Sequence, residues 1–269
     1  MTDTTKSPQD LIKVALSKRQ NALANFLGNE KNALKFMSAV MHCMQGNPKL
    51  VQCSQDSLLG AFMTSASLNL YPGGHGGDCY ILPYNTKEGM QAQFQIGYRG
   101  FKTLAYRSGV LRCGTEIVHE HDEFKQLLGT SQSLHHVPHP SSRGEAIGAY
   151  AWAEVTQGNV VFKYMTEEQI MQIKSLAKGG DSKYSPWSGT NDPEKWMWQK
   201  TAFKQLAKLL PTSDDLDKAV HLDNISERGG YFKSETEVVE PSFKPEKTQE
   251  EKIDKVKDKK EELRQKTNE

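Results

Sequence analysis

The order of hydrophobic and polar positions divides the chain into a helical N-terminal part and a longer part that combines strands with helices. Apolar side chains recur at the spacing of an amphipathic helix in three early segments: residues 8–19, 29–44 and 54–68. The second segment is rich in methionine, which is common in cores and at subunit contacts. We therefore interpret residues 8–68 as helices that contribute subunit contacts.

Two hairpins are predicted further along the chain. Residues 78–84 and 90–96 alternate between apolar and polar side chains on either side of a turn, which is typical of a β-hairpin. Residues 110–120 and 146–162 also predict strands, and Gly158-Asn159 predicts a second hairpin turn. These segments indicate an antiparallel sheet.

Turn and capping residues place the remaining elements. The segment 129–143 is rich in Ser, His and Pro and predicts a surface loop. Residues 166–169 form a capping box, and residues 192–194 predict the start of a longer helix that Pro211 ends. A short helix is predicted over residues 216–223. The predicted fold class is α+β, with an antiparallel sheet and hairpins packed against helices.

The C-terminal part of the chain differs in composition. Residues 233–269 are almost entirely polar or charged, with basic and acidic side chains in nearly equal numbers. Such a segment buries too little apolar surface to offset its loss of conformational entropy on folding. We predict a disordered, flexible charged tail that binds a partner, and one folded domain over residues 1–232.

A basic helix face follows the first predicted hairpin. Between residues 91 and 112 there is no acidic side chain, and the cationic ones are Arg99, Lys102, Arg107 and Arg112. On a helical wheel Arg99, Lys102 and Tyr106 share one arc, which also contains Thr103 and has Arg107 at its edge. The whole chain has a net charge of only +1, but a polyanion responds to local clusters of charge. The alternative is an ordinary solvated helix face.

The predicted helix after residue 192 carries a second set of cationic positions. Lys200, Lys204 and Lys208 are spaced by four residues, and Thr201 flanks them. Like charges at this spacing repel each other by a few tenths of a kcal/mol in an isolated helix. The sequence therefore predicts a lysine stripe that faces a polyanion.

The sequence contains none of the common catalytic motifs. The glycine-rich loop at residues 73–77 lacks the G-K-[ST] of a P-loop and precedes a strand rather than a helix. Histidines cluster without a metal-ligand spacing at His119, His121, His135, His136 and His139. A metal-dependent nuclease stays an alternative, because four acids lie on or near one predicted strand: Glu116, Glu120, Asp122 and Glu123. We predict no catalytic residue, no metal and no cofactor.

The cysteines and the lack of a long apolar run indicate the cellular compartment of the protein. The four cysteines show no CxxC spacing, which indicates reduced, buried thiols. No apolar run is long enough to span a membrane, and the N-terminus does not resemble a signal peptide. We expect a soluble, intracellular protein.

Four motifs together resemble a known family. They occur at residues 68–72 (LNLYP), 79–84 (CYILPY), 93–100 (QFQIGYRG) and 198–206 (WQKTAFKQL). In this order the motifs are similar to those of the RecT family of phage single-strand annealing recombinases. We expect the resemblance to cover about residues 10–225 and to leave the tail outside.

The resemblance implies a function and partners. It implies a DNA-annealing core at residues 1–232, which coats single-stranded DNA and pairs it with a complementary strand without ATP. It also implies an oligomeric ring or helical filament, a partner exonuclease, contact with the host single-strand binding protein, and a place in the cytoplasm of the bacterial host. No enzymatic activity is expected.

These expectations define a candidate DNA-binding set. The predicted phosphate contacts are Arg99, Lys102, Arg107, Arg112, Lys200, Lys204 and Lys208, and the set also includes Thr103, Tyr106 and Thr201. Tyr106 and Trp187 are the aromatic residues that we favour for stacking on bases. Two alternatives to annealing stay open, a protein that only coats single strands and a scaffold whose basic helices bind acidic proteins.

Overall fold

The computed structural model describes residues 7–73, 77–183, 185–211, 213–232 and 238–239. The predicted tail therefore lies outside the described residues, except for the short strand at 238–239. Most of the glycine-rich loop, residues 74–76, also lies outside them.

Four helices form the N-terminal part of the fold. They are α1 (Pro8–Ser17), α2 (Gln20–Leu27), α3 (Glu30–Gly46) and α4 (Gln55–Ser67), with a short 3-10 helix at Pro48–Gln52 before α4. The side chains of Ser7, Asn29 and Ser54 accept hydrogen bonds from backbone N–H groups and so cap α1, α3 and α4. Helix α2, which has 8 residues and the C-cap Gly28 with a φ of 89°, is not predicted by the sequence pattern.

The first hairpin packs on α4 and leads into the basic helix. Its strands are β1 (Cys79–Thr86) and β2 (Gly89–Ile96), and α5 (Tyr98–Arg107) follows directly. The Ala92 N–H donates to the Ser57 hydroxyl at 2.9 Å, which ties β2 to the buried helix α4. The hairpin and the helix after it therefore form as the sequence predicts.

A three-stranded antiparallel sheet forms the second half of the core. It has the order β3 (Arg112–His119), β6 (Ala146–Thr156) and β7 (Asn159–Thr166). On β6 the buried side chains of Ala149, Ala151 and Ala153 are small, so that α7 (Trp196–Ala207) packs closely on this sheet. Helix α6 (Glu167–Ser175) begins with the predicted capping box of Thr166 and Gln169.

Part of the predicted surface loop is a hairpin. Strands β4 (Glu123–Leu127) and β5 (Ser133–Val137) pair with each other, so the expectation of an irregular loop over residues 129–143 is wrong for β5. The Phe124 ring lies 4.8 Å from the Tyr164 ring and 5.8 Å from the Tyr150 ring, centroid to centroid. These contacts place the hairpin on the outer face of the sheet, where aromatic packing stabilises it.

Helix α7 begins later than the sequence predicts. Its first residue is Trp196, because residues 192–195 form a turn and Lys195 adopts a left-handed backbone conformation. The Asp192 carboxylate still accepts from the N–H groups of Trp196 (2.7 Å) and Met197 (2.8 Å). Asp192 therefore caps α7 from across the turn.

The last described elements are α8 (Asp214–Glu227) and a small hairpin of β8 (Tyr231–Phe232) and β9 (Val238–Val239). Together, the helices and antiparallel strands confirm the predicted α+β fold. None of the helices in the described ranges is both long and apolar enough to cross a membrane.

A buried carboxylate holds the base of the β4–β5 hairpin. The Asp122 side chain is fully buried and accepts two hydrogen bonds from Arg143, at 2.7 and 3.0 Å, and others from the backbone N–H groups of His119 and His139. It also lies 3.0 Å from Nε2 of His136. The Arg143 guanidinium is the largest influence and holds the pKa of Asp122 well below its usual range, despite burial.

We predict that this carboxylate makes stability depend on pH. A group whose pKa is lowered in the folded state stabilises that state above its unfolded pKa of about 4, and the effect is lost as the pH falls toward the folded pKa. In urea denaturation, the difference in free energy of unfolding between the wild type and Asp122→Asn should be larger at pH 5 than at pH 3. It should shrink below about pH 4. An equal difference at pH 3 and pH 5 would refute this assignment.

Candidate nucleic-acid interface

A groove of about 660 Å³ opens between the first hairpin, the start of α5 and the start of α7. Residues of β1, β2, α5 and α7 line it, together with Gly77 and with Pro186, Asn191 and Asp192 of the connector before α7. We call it the central groove. Its volume is in the range of ordinary ligand sites.

Aromatic side chains form much of the wall of the central groove. Tyr80 is 40% exposed and Trp196 is 49% exposed, so both rings can be reached from solvent. Tyr98 also lines the groove, and its ring centroid is 6.0 Å from that of Trp196. These rings offer flat faces on which planar groups can stack.

A hydrogen-bond chain fixes the orientation of Tyr98. The Thr115 hydroxyl lies 3.0 Å from the Tyr98 hydroxyl and 2.8 Å from the side-chain oxygen of Gln199. Burial is the main cause of a raised pKa for Tyr98, so its hydroxyl stays neutral at physiological pH. Strand β3, helix α5 and helix α7 are thus joined at the floor of the groove.

Positive charge enters the central groove at the start of α5. Gly97 is the N-cap residue, and no side chain caps the helix there. The N-terminal end of a helix attracts anions through its unpaired N–H groups and its dipole. The exposed Arg99 lies in the first turn of α5 and lines the groove, and none of the acidic residues in the described ranges forms an ion pair with it.

Two glycines allow α5 to start so close to the hairpin. The Gly97 N–H donates to the Asp78 carbonyl at 2.8 Å, and a side chain at Gly100 would collide with the same carbonyl. A side chain at Gly97 would also approach a ring carbon of Tyr80 to 3.1 Å. The glycines on either side of Tyr98 and Arg99 are therefore required by packing.

Three other predicted DNA-binding residues lie on α5: Lys102, Thr103 and Tyr106. Lys102 lies over the Tyr98 ring, 5.6 Å from its centroid, and Tyr106 is 46% exposed. The Thr103 hydroxyl donates to Asp78 at 3.4 Å. Lys102 and Tyr106 keep surfaces that a ligand can reach.

Two of the predicted arginines have protein partners. Arg107 donates to the carbonyl oxygens of Leu68 (2.9 Å) and Asn69 (3.0 Å) and so closes the C-terminal end of α4. Arg112 donates to Glu154 at 2.7 Å, although its side chain is 70% exposed. The main contacts of Arg107 are structural, and both arginines also reach solvent.

Two of the three lysines of the predicted stripe are buried, which corrects the sequence-based prediction, although Lys200 lies in the lining of the central groove. Lys200 and Lys204 are 6% and 5% exposed. Their ammonium groups each lie 2.8 Å from a different oxygen of Asp223, which is fully buried on α8. Lys204 also lies 2.8 Å from Glu227, and Lys200 lies 3.4 Å from it. We call these four residues the α7–α8 ion cluster.

The charges within the α7–α8 ion cluster balance. Burial alone would lower the pKa of Lys204, but the charges of Asp223 and Glu227 outweigh it and raise that pKa. Conversely, burial would raise the pKa of Asp223, and the two lysines lower it. The repulsion expected between lysines four residues apart is therefore relieved by protein carboxylates, so the stripe does not require a polyanion.

The other predicted DNA-binding residues on or next to α7 are one buried residue, Thr201, and one exposed residue, Lys208. Thr201 is buried and its hydroxyl donates to the Met197 carbonyl at 2.7 Å. Lys208 is exposed and donates to the Gln205 side chain at 2.8 Å. Trp187 is partly buried against the core and is not among the described residues that line the central groove.

The carboxylates that suggested a nuclease do not converge. The Asp122 carboxylate already accepts hydrogen bonds from the Arg143 guanidinium and from the backbone N–H of His139. Within the described ranges, no group of three or more His, Cys, Asp or Glu side chains has the arrangement of a metal site.

The fold and the groove define an α+β protein with an aromatic-lined groove, whose charged lining residues are Arg99, Lys200 and Asp192. The family model of the RecT family matches residues 34–260, and the chain therefore belongs to the RecT family. This match begins later than the expected residue 10, and it extends beyond residue 225 into the predicted tail.

Two curated relatives are similar to the chain. Protein RecT of Escherichia coli (strain K12) is 36% identical over 181 residues, which is 65% of each chain. The uncharacterised protein YqaK of Bacillus subtilis (strain 168) is 24% identical over 151 residues, which is 56% of this chain and 52% of that one. The chain thus spans less than two thirds of the length of either relative.

Proposed function

We propose that the chain binds single-stranded DNA in the central groove and pairs it with a complementary strand without ATP, as part of phage recombination. The exposed rings of Tyr80 and Trp196 beside Arg99 and the uncapped start of α5 are the observation that carries this proposal. Membership of the RecT family supports it.

The groove separates two kinds of contact. Arg99, Lys102 and the N-terminal end of α5 are placed to neutralise phosphates, and the aromatic rings are placed to stack on bases. Stacking tolerates any sequence because every base has a flat face. Contacts of this kind leave the base edges free to pair with a second strand, as annealing requires.

The proposed DNA-binding set changes accordingly. Tyr80, Tyr98 and Trp196 join Arg99, Lys102 and Tyr106, whereas Lys200, Lys204, Thr201 and Arg107 are assigned structural roles. Thr103, Arg112 and Lys208 stay in the set as proposed contacts beyond the lining of the groove.

The absence of a Walker lysine from the sequence supports annealing without ATP. We further propose an oligomeric ring or filament with contacts through the N-terminal helices, where Leu11, Phe26 and Leu34 are exposed. An exonuclease and the host single-strand binding protein are the proposed partners, and the bacterial cytoplasm is the proposed location.

Binding of the full chain to a mixed-sequence oligonucleotide, measured over a series of salt concentrations, tests this function. We predict that Lys102→Ala weakens binding to all sequences alike and flattens the salt dependence by about 0.7, the value for one lost phosphate contact on a single strand. The control is Lys163→Ala on β7, an exposed lysine outside the groove, which should leave the slope unchanged. An unchanged slope in Lys102→Ala would remove Lys102 from the interface, and no binding by the wild type would refute the function.

A further inference from the structure

A second cavity adjoins the central groove. It has a volume of about 500 Å³ and lies between α3 and β1, and we call it the α3 hollow. Tyr80 and Leu82 of β1 line both this hollow and the central groove. The two spaces are therefore neighbours that share the side chains of these two residues.

Tyr80 stands on the boundary between the two spaces. Within the described ranges, β1 pairs with β2 along one edge, and on the other edge Cys79 forms a single parallel bridge with Pro72. The Tyr80 ring is 40% exposed and lies so close to Gly97 that a side chain there would approach a ring carbon to 3.1 Å. The ring therefore forms a ridge that packs against the start of α5 and stays partly open to solvent.

The α3 hollow suits the same ligand as the central groove. None of its described lining residues is acidic, and the exposed His42 lies at its rim. Tyr71 provides a second ring in the lining, which is oriented by an edge contact with Phe36 at 5.7 Å and by a hydrogen bond from its hydroxyl to the Asn32 carbonyl at 3.4 Å. An anionic strand there would meet two aromatic rings, and none of the described lining residues is an acid that would repel it.

We propose that single-stranded DNA runs from the central groove across Tyr80 into the α3 hollow, and that the Tyr80 ring inserts between two groups of stacked bases. This inference rests on the proposed function and extends its site from one cavity to two. Tyr80 then interrupts base stacking at one fixed point on each subunit, and the bases on both sides stay in register for pairing.

Photochemical crosslinking of the full chain to single-stranded DNA that contains 5-iodouracil tests this path. We expect crosslinks to Trp196 in the central groove, to Tyr80, and to Tyr71 or His42 in the α3 hollow. Crosslinks confined to the central groove would overturn the path across Tyr80 and leave the proposed function intact. If the wild type bound no DNA at all, the proposed function would fall together with the path.

A pair of variants at position 80 tests the ridge itself. The probe is 2-aminopurine within the bound strand, whose fluorescence rises when neighbouring bases unstack. Tyr80→Phe should keep this rise, whereas Tyr80→Leu should lose it and bind DNA about 5- to 150-fold more weakly, the range for one lost stacking contact. Retention of the full rise and affinity in a folded Tyr80→Leu variant would overturn the proposal.

Discussion

Replacement of Asp223 with alanine is expected to lower the free energy of unfolding by about 3–5 kcal/mol, because it leaves two buried lysines without their shared carboxylate. Asp223 is fully buried and contacts both ammonium groups at 2.8 Å. Glu227 alone cannot balance two positive charges. The loss of stability should be accompanied by loosening of α8 from α7.

Equilibrium denaturation in urea, followed by circular dichroism, measures this effect. The matched control is Asp217→Ala, which removes an exposed acid from the first turn of the same helix. Its only expected cost is the interaction with the helix dipole, at most about 1 kcal/mol. If both variants lost the same small amount, the α7–α8 ion cluster would not be a major source of stability.

Replacement of Trp196 with alanine is expected to weaken binding of single-stranded DNA about 5- to 150-fold, because one base loses an aromatic partner. About half of the Trp196 side chain is exposed at the groove, so its removal leaves little empty space in the core. Trp196→Phe should recover much of the affinity, since a smaller ring still stacks.

Fluorescence anisotropy with a labelled oligonucleotide measures this affinity. The control is Leu209→Ala, which removes a similarly exposed apolar side chain just beyond the other end of α7. It should bind like the wild type. Equal affinities of Trp196→Ala and the control would exclude Trp196 from the interface.

Local sequence patterns were sufficient for much of the fold. The alternation in β1 and β2, the turn at Gly158 and the capping box at Thr166 each act over a few residues, and all of them form as predicted. Helix α5 was found for the same reason, because its polar and apolar faces are distinct over ten residues.

The lysine stripe shows where local patterns fail. A spacing of four places Lys200 and Lys204 on one face of a helix, but it does not tell whether that face meets solvent, DNA or protein. The available signal was the matching spacing of Asp223 and Glu227, which are also four residues apart. Two complementary pairs on neighbouring helices indicate an internal ion cluster.

The groove could not be predicted because its parts are distant in sequence. Tyr80 and Trp196 are separated by more than a hundred residues, and only the packing of α5 against α7 brings them to one cavity. The β4–β5 hairpin was missed because its strands are short and polar, and the burial of Asp122 beneath it depends on Arg143.

The most direct test of the central claim is the rate at which two complementary oligonucleotides, one with a fluorophore and one with a quencher, anneal without any nucleotide. The wild type should accelerate pairing while both strands stay intact, and Trp196→Ala should be slower. An unchanged rate despite binding of single strands would contradict annealing and leave a coating protein. The absence of any binding would contradict the DNA interface itself and favour a protein scaffold.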